Sequence, residues 1–90
     1  MENNLIICYD LYKQGQDYPA VKKAIESLGK AIKIQQSVFY VKSKYSSEQA
    51  YDIVRKSTDQ NDFLLIVNAS KNGFRSYLPH EITRFIESNW

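Results

Sequence analysis

Few residues in this chain could do chemistry, and the most suggestive is Asp10, which closes the apolar run Leu5-Ile6-Ile7-Cys8-Tyr9. In open α/β sheets ligands gather outside the carboxyl ends of strands, so an acid at that point stands where metal or phosphate chemistry is done. The competing reading is that Asp10 finishes a strand and receives amides of the polar loop that follows, which holds one glycine, Gly15, before Pro19. A magnesium or manganese ion takes about six oxygens, commonly from one or two carboxylates with waters completing the shell. One chain offers Asp10 and, seven residues on, Asp17, which approaches only if the loop folds back. A two-fold axis past the strand ends would bring two Asp10 carboxylates together, so a metal here calls for a dimer.

The other candidates carry less. His80 is the only histidine and sits near a helix start, where a solvated side chain is the simpler reading. Ser37 has no histidine near it in sequence to activate it as a nucleophile. Lys13, Lys22, Lys23 and Lys33 are the candidate nucleic-acid contacts, with Lys30, Lys42 and Lys44 nearby. Interleaved Tyr12, Tyr18, Tyr40 and Tyr45 would suit base stacking; solvated lysines and half-buried tyrosines explain the same pattern equally well. A net charge of +2 is too small to argue for nucleic acid by itself. No phosphate-cradling glycine loop and no zinc spacing occurs anywhere.

The elements that must position these residues follow from periodicity. Leu5 to Tyr9 is a β-favouring run without a polar break, as expected of a strand buried on both faces. Pro19 suits a first helical turn, and Val21, Ala24, Ile25 and Leu28 form one apolar stripe. Gly29 then stands where a left-handed helix stop would fall. From Ala31 to Lys44 the pattern has period two but changes phase between Ile32/Ile34 and Phe39/Val41, so Gln35-Gln36-Ser37 should hold a bulge or tight turn. Ser46 and Gln49 read as a capping box before a helix running to about Thr58. Asp59 to Asp62 is a turn cluster, Phe63 to Val67 a second strand of the doubly buried type, and Pro79 opens a last helix with Ile82, Phe85 and Ile86 on its apolar face. The two most apolar runs, Leu5–Tyr9 and Phe63–Val67, should pair near the middle of the sheet. This order predicts a single α+β domain over residues 1–90, a ferredoxin-like βαββαβ sandwich with two helices on one face of an antiparallel sheet and a short C-terminal helix. Ninety residues support one modest core that a partner subunit would reinforce. The lone Cys8 excludes an internal disulfide framework and fits a reducing cytoplasm, and no apolar stretch approaches a membrane span or a signal peptide.

The residues Tyr9-Asp10-Leu11, Gly15-Gln16, Tyr18, Ile25, Leu28-Gly29, Ser37, Asn61-Asp62 and Leu64-Leu65 occur in an order that resembles the small CRISPR-associated endonuclease partnering the CRISPR integrase. The pattern is similar also to toxin ribonucleases of the virulence-associated protein D type, and most resembles small stand-alone SinR-like members. It covers about residues 4 to 70. The resemblance implies a symmetric homodimer in which Asp10 holds a divalent ion, Mg2+ or Mn2+, that activates water against an RNA or DNA phosphodiester. It places Ser37 near the catalytic site and Phe39 at the dimer contact. Two departures stand out: residues 72–90 offer a weak edge strand and a helix where the family carries a fifth strand crossing to the partner, and the family's arginine beside the serine-bearing strand is replaced at best by Lys33. Two functions are therefore expected: a cytoplasmic metal-dependent nuclease of antiviral defence or a toxin–antitoxin pair, or a non-catalytic dimeric scaffold or phage-borne inhibitor that binds an integrase, an antitoxin or a defence complex.

Overall fold

The first apolar run forms strand β1, Asn3–Asp10. A computed structural model describes residues 2–12 and 18–90, apart from the Tyr18 side chain. After β1 come α1 (Tyr18–Glu26), β2 (Gly29–Gln35), β3 (Val38–Ser43), α2 (Ser47–Arg55), β4 (Phe63–Asn68) and α3 (His80–Asn89). The four strands are antiparallel in the order β2-β3-β1-β4. With α1 and α2 on one face, this is the expected ferredoxin-like arrangement.

Alternation along the strands divides the residues between two faces. Leu5, Ile7, Tyr9, Phe39 and Val41 meet Val21, Ile25 and Leu28 and, from α2, Ala50 and Val54 in the main core. The phase change after Ile34 has both expected causes: the β2–β3 register shifts between Lys33 and Gln35, and Gln36-Ser37 then turns the chain. The α2 capping box forms as anticipated, with the Ser46 hydroxyl accepting from the Gln49 N–H and the Gln49 side chain accepting from the Ser46 N–H. Gly29 has a different job from the one its position suggested. It opens β2 rather than capping α1, and a Cβ there would lie 2.1 Å from the Lys42 carbonyl oxygen on β3.

The opposite face is where expectation and structure part. β4 does pair with β1, but as an edge strand, so Phe63, Leu65 and Val67 are 71%, 59% and 44% exposed instead of doubly buried. The covered half of that face lies over Tyr40, which is wholly buried although its sequence neighbours suggested a stacking tyrosine. Phe85 meets it edge-on at 6.2 Å, and Trp90 packs at 5.7 Å. The Tyr40 hydroxyl donates to Asn4 Oδ1 at 2.8 Å.

Burial, reinforced by the charge of Glu2, pushes the Tyr40 phenol up to about 12 from its ordinary 10.0. The unfolded chain then releases this proton first, so stability present below pH 10 is lost as pH rises towards 12. Urea unfolding of wild type and Tyr40→Phe across that interval should show the wild type losing more stability with rising pH. At neutral pH the variant should be about 1 kcal/mol less stable for want of the buried hydrogen bond.

Candidate functional site at the end of strand β1

Asp10 is the last residue of β1, directly across from Phe63 on β4, and is exposed. Among the described residues its carboxylate takes part in no hydrogen bond or ion pair. Ser37 is brought to the same end of the sheet by the β2–β3 turn, where it adopts a left-handed φ of 63°. That conformation aims its carbonyl at β1, and the Tyr9 N–H donates to it at 3.0 Å. Ser37 therefore touches the strand end through its main chain, one residue before Asp10.

The candidate lysines divide. Lys22 on α1 and Lys33 on β2 line one groove of about 630 Å³, floored by Tyr9 and Phe39 and shared with Glu26. Lys23 is exposed away from this groove, and Lys13, with Asp17, lies outside the described residues. Phe39, expected at the dimer contact, is 2% exposed on the helix-covered face, where it floors that groove with its ring stacked on Tyr9 at 6.3 Å. Period-two alternation sends Phe39 inward with Val41, and the outward apolar residues are those of β4. His80 is exposed at the start of α3, as expected of a solvated histidine.

The loop-amide role considered for Asp10 belongs to Asp62. Its Oδ1 accepts from the Tyr12 N–H at 2.7 Å and its Oδ2 from the Asp59 N–H at 2.7 Å. Arg55, at the end of α2, donates to the Asp59 carbonyl at 2.9 Å and to the Thr58 hydroxyl, which fixes the same turn. One carboxylate thus joins the segment leaving β1 to the turn entering β4. Sequence reasoning placed Asp62 in a turn but gave it no partner, because Tyr12 is 50 positions away.

An exposed carboxylate without partners among the described residues suits a magnesium or manganese ion as one ligand among waters. A single chain brings little more: no three His, Cys, Asp or Glu residues gather closely enough to hold an ion among the described residues. Both Asp62 oxygens already accept main-chain amides, which ties that carboxylate to the turn entering β4.

Fold and strand-end acid together define a ferredoxin-like sandwich with a lone carboxylate presented at the exit of its first strand. A crystal structure of cas2 has the same fold, with a TM-score of 0.61 and 20% sequence identity over 89% of this chain and 90% of that one. At that identity the likeness is one of fold. No family model and no curated protein matches the sequence. No helix among the described residues is long and apolar enough to cross a membrane.

The Asp59 N–H, then the Tyr12 N–H and the charge of Arg55, hold the Asp62 carboxyl below its usual range. Because the folded value is the lower one, the stabilisation is present above the ordinary carboxylate pKa, about 4, and is lost as pH falls through the folded value. Thermal unfolding from neutral to acid pH should show Asp62→Asn less stable than wild type at neutrality, with the gap closing below about pH 4. Hydrogen exchange at the Tyr12 amide should quicken in Asp62→Ala.

Proposed function

We propose that the chain acts as a homodimeric, metal-dependent phosphodiesterase on nucleic acid, with Asp10 of each subunit supplying a carboxylate to the ion. The observation that carries this reading is the exposed acid at the end of a central strand, which has no hydrogen bond or ion pair among the described residues. The fold shared with cas2 and the order of motif residues from the end of β1 through the β2–β3 turn to β4 support it. A divalent ion, when bound, supplies a polarised water and neutralises charge at the phosphate. Asp10 binds and orients that ion. The Ser37 carbonyl fixes the main chain just before it, and Lys22 and Lys33 line a groove on the helix-covered face that reaches Tyr9 but not the acid itself. They would seat the phosphate backbone leading into the site.

A second subunit completes the site because the described residues of one chain bring a single carboxylate, Asp10, to this strand end. The open half of the sheet suits such a contact. Leu65 and Val67 form an exposed apolar ridge directly beside Ile6 and Cys8, which with Val38, Phe74 and Ile86 line a groove of about 500 Å³ under α3. A ridge next to a groove on one face is what a two-fold contact requires, each copy filling the other.

The sparse acid set favours one other reading, a dimer that binds its partners without hydrolysing anything. The two separate cleanly. Purified protein with manganese should cleave RNA or DNA, Asp10→Asn should reduce cleavage to background while staying folded and dimeric, and Leu65→Glu should give a monomer by light scattering and abolish cleavage. Equal cleavage by Asp10→Asn, or none by wild type with either magnesium or manganese, leaves the binding protein.

A further inference from the structure

Two aromatic side chains flank the strand-end acid, and neither the core nor the ridge of Leu65 and Val67 accounts for both. Tyr12 and Phe63 are each 71% exposed, and together with Asp10, Leu11 and Asn61 they line a hollow of about 200 Å³. A second hollow of about 340 Å³ adjoins it and shares Tyr12 and Asn61. Their arrangement is held from beneath. Asp62 grips the Tyr12 and Asp59 amides, so one residue fixes the main chain that carries Tyr12 and the turn that carries Asn61. Phe63 follows it directly and sits in register with Asp10 across the strand pair.

Exposed aromatic rings are costly to leave in water and hard to explain as solvated surface when two line one hollow beside a carboxylate. Tyr51 and Tyr77 are also exposed, but neither lines this hollow, and two tyrosines first read as stackers are occupied elsewhere. Tyr40 is buried, and Tyr45 is packed half-buried against the main core. Each nucleobase has a π-face that stacks on such rings, but only when it is free of a duplex stack. Asn61 adds an amide whose donor and acceptor lie in one plane, the arrangement that reads a base edge.

We propose that this hollow takes one unpaired base of a single-stranded nucleic acid, stacked on Tyr12 and Phe63 with its edge toward the Asn61 amide. The inference rests on the nucleic-acid reading above and gives it a substrate class: single strands, or unpaired segments, rather than continuous duplex. The adjoining hollow on the far side of Tyr12 accepts the neighbouring nucleotide. The phosphate between a held base and the next residue then lies near Asp10.

The test uses the full chain in EDTA, so that binding is measured apart from hydrolysis. Short single-stranded RNA and DNA carrying 2-aminopurine, and the same sequences as duplexes, are titrated by fluorescence. Single strands should bind with quenching of the probe, and duplexes roughly tenfold or more weakly, the worth of a lost stacking contact. Tyr12→Leu and Phe63→Leu keep an apolar side chain but remove the ring. Each should weaken single-strand binding by about 5- to 100-fold and abolish quenching, while duplex binding and the mass by light scattering stay unchanged. Equal affinity for single strands and duplexes, unaltered binding by both leucine variants, or no quenching with wild type overturns the proposal. Its fate is separable from that of the hydrolase: quenching that depends on the two rings, with cleavage indifferent to Asp10→Asn, keeps the base site and removes the catalysis, and the converse pair of results does the reverse.

Discussion

The arrangement of this molecule depends on Asn4, a polar residue that is 2% exposed at the start of the central strand. Its main-chain N–H donates to the Ser70 hydroxyl at 2.9 Å, and its carbonyl accepts from the Ala69 N–H at 2.8 Å. Its Oδ1 takes the Tyr40 hydroxyl at 2.8 Å and Lys42 Nζ at 3.2 Å, while its Nδ2 donates to the Trp90 main-chain oxygen at 3.2 Å. Buried polar atoms left without partners cost several times what a satisfied bond returns, so such a node is stable only when complete. Completing it requires β3, the segment after β4 and the end of α3 to be in place together. Trp90 is in turn held by its indole N–H to the Asn72 carbonyl at 2.7 Å and by its ring against Phe74 at 4.7 Å. The node thereby docks α3 over β2 and β3 and leaves the β1–β4 half of that face open.

That division explains which parts of the fold were legible in the sequence. The helix stripe of Val21, Ile25 and Leu28, the phase change before Ser37 and the capping box of Ser46 and Gln49 are local signals, and each appears where its spacing placed it. Edge against centre is not a local property. Phe63 to Val67 has the same apolar run as Leu5 to Tyr9, and only the pairing order, with β4 outside β1, exposes alternate residues of one and covers those of the other. Tyr40 and Phe39 show the converse. Adjacent residues of one strand point to opposite faces, and the tyrosine read as a surface stacker and the phenylalanine read as a contact are both core because each face has its own cover there.

The candidate site was legible to the same depth. Asp10 announces itself because an acid follows five apolar residues without interruption, and strand ends are where ligands gather. Asp62 sits at the mirror-image place, just before an apolar run, and nothing in its neighbourhood tells the two apart. The difference lies in one long-range partner: Tyr12, 50 positions away, supplies an amide to Asp62 beside the local amide of Asp59, and Arg55 approaches from α2. Asn61 and Phe63 were invisible as site residues for the same reason, since their positions beside Asp10 come from strand register and not from spacing.

The contrast between the two aspartates also decides what chemistry the strand end can support. A carboxylate with both oxygens on main-chain amides is stabilised as an anion and has about half of its four lone-pair sites already committed. Asp62 therefore works as scaffold, and its gain is geometric: it holds the exit of β1 against the entrance of β4, so that Asp10 projects from a fixed edge. Asp10, with no such ties among the described residues, keeps its oxygens available. An acid in that condition, without a clustered ligand partner among the described residues, becomes a strong cation site by borrowing ligands from water, from a phosphate or from a second copy. The open half of the sheet beside it, with the ridge of Leu65 and Val67, is the feature of this fold through which the last of these can be brought within reach.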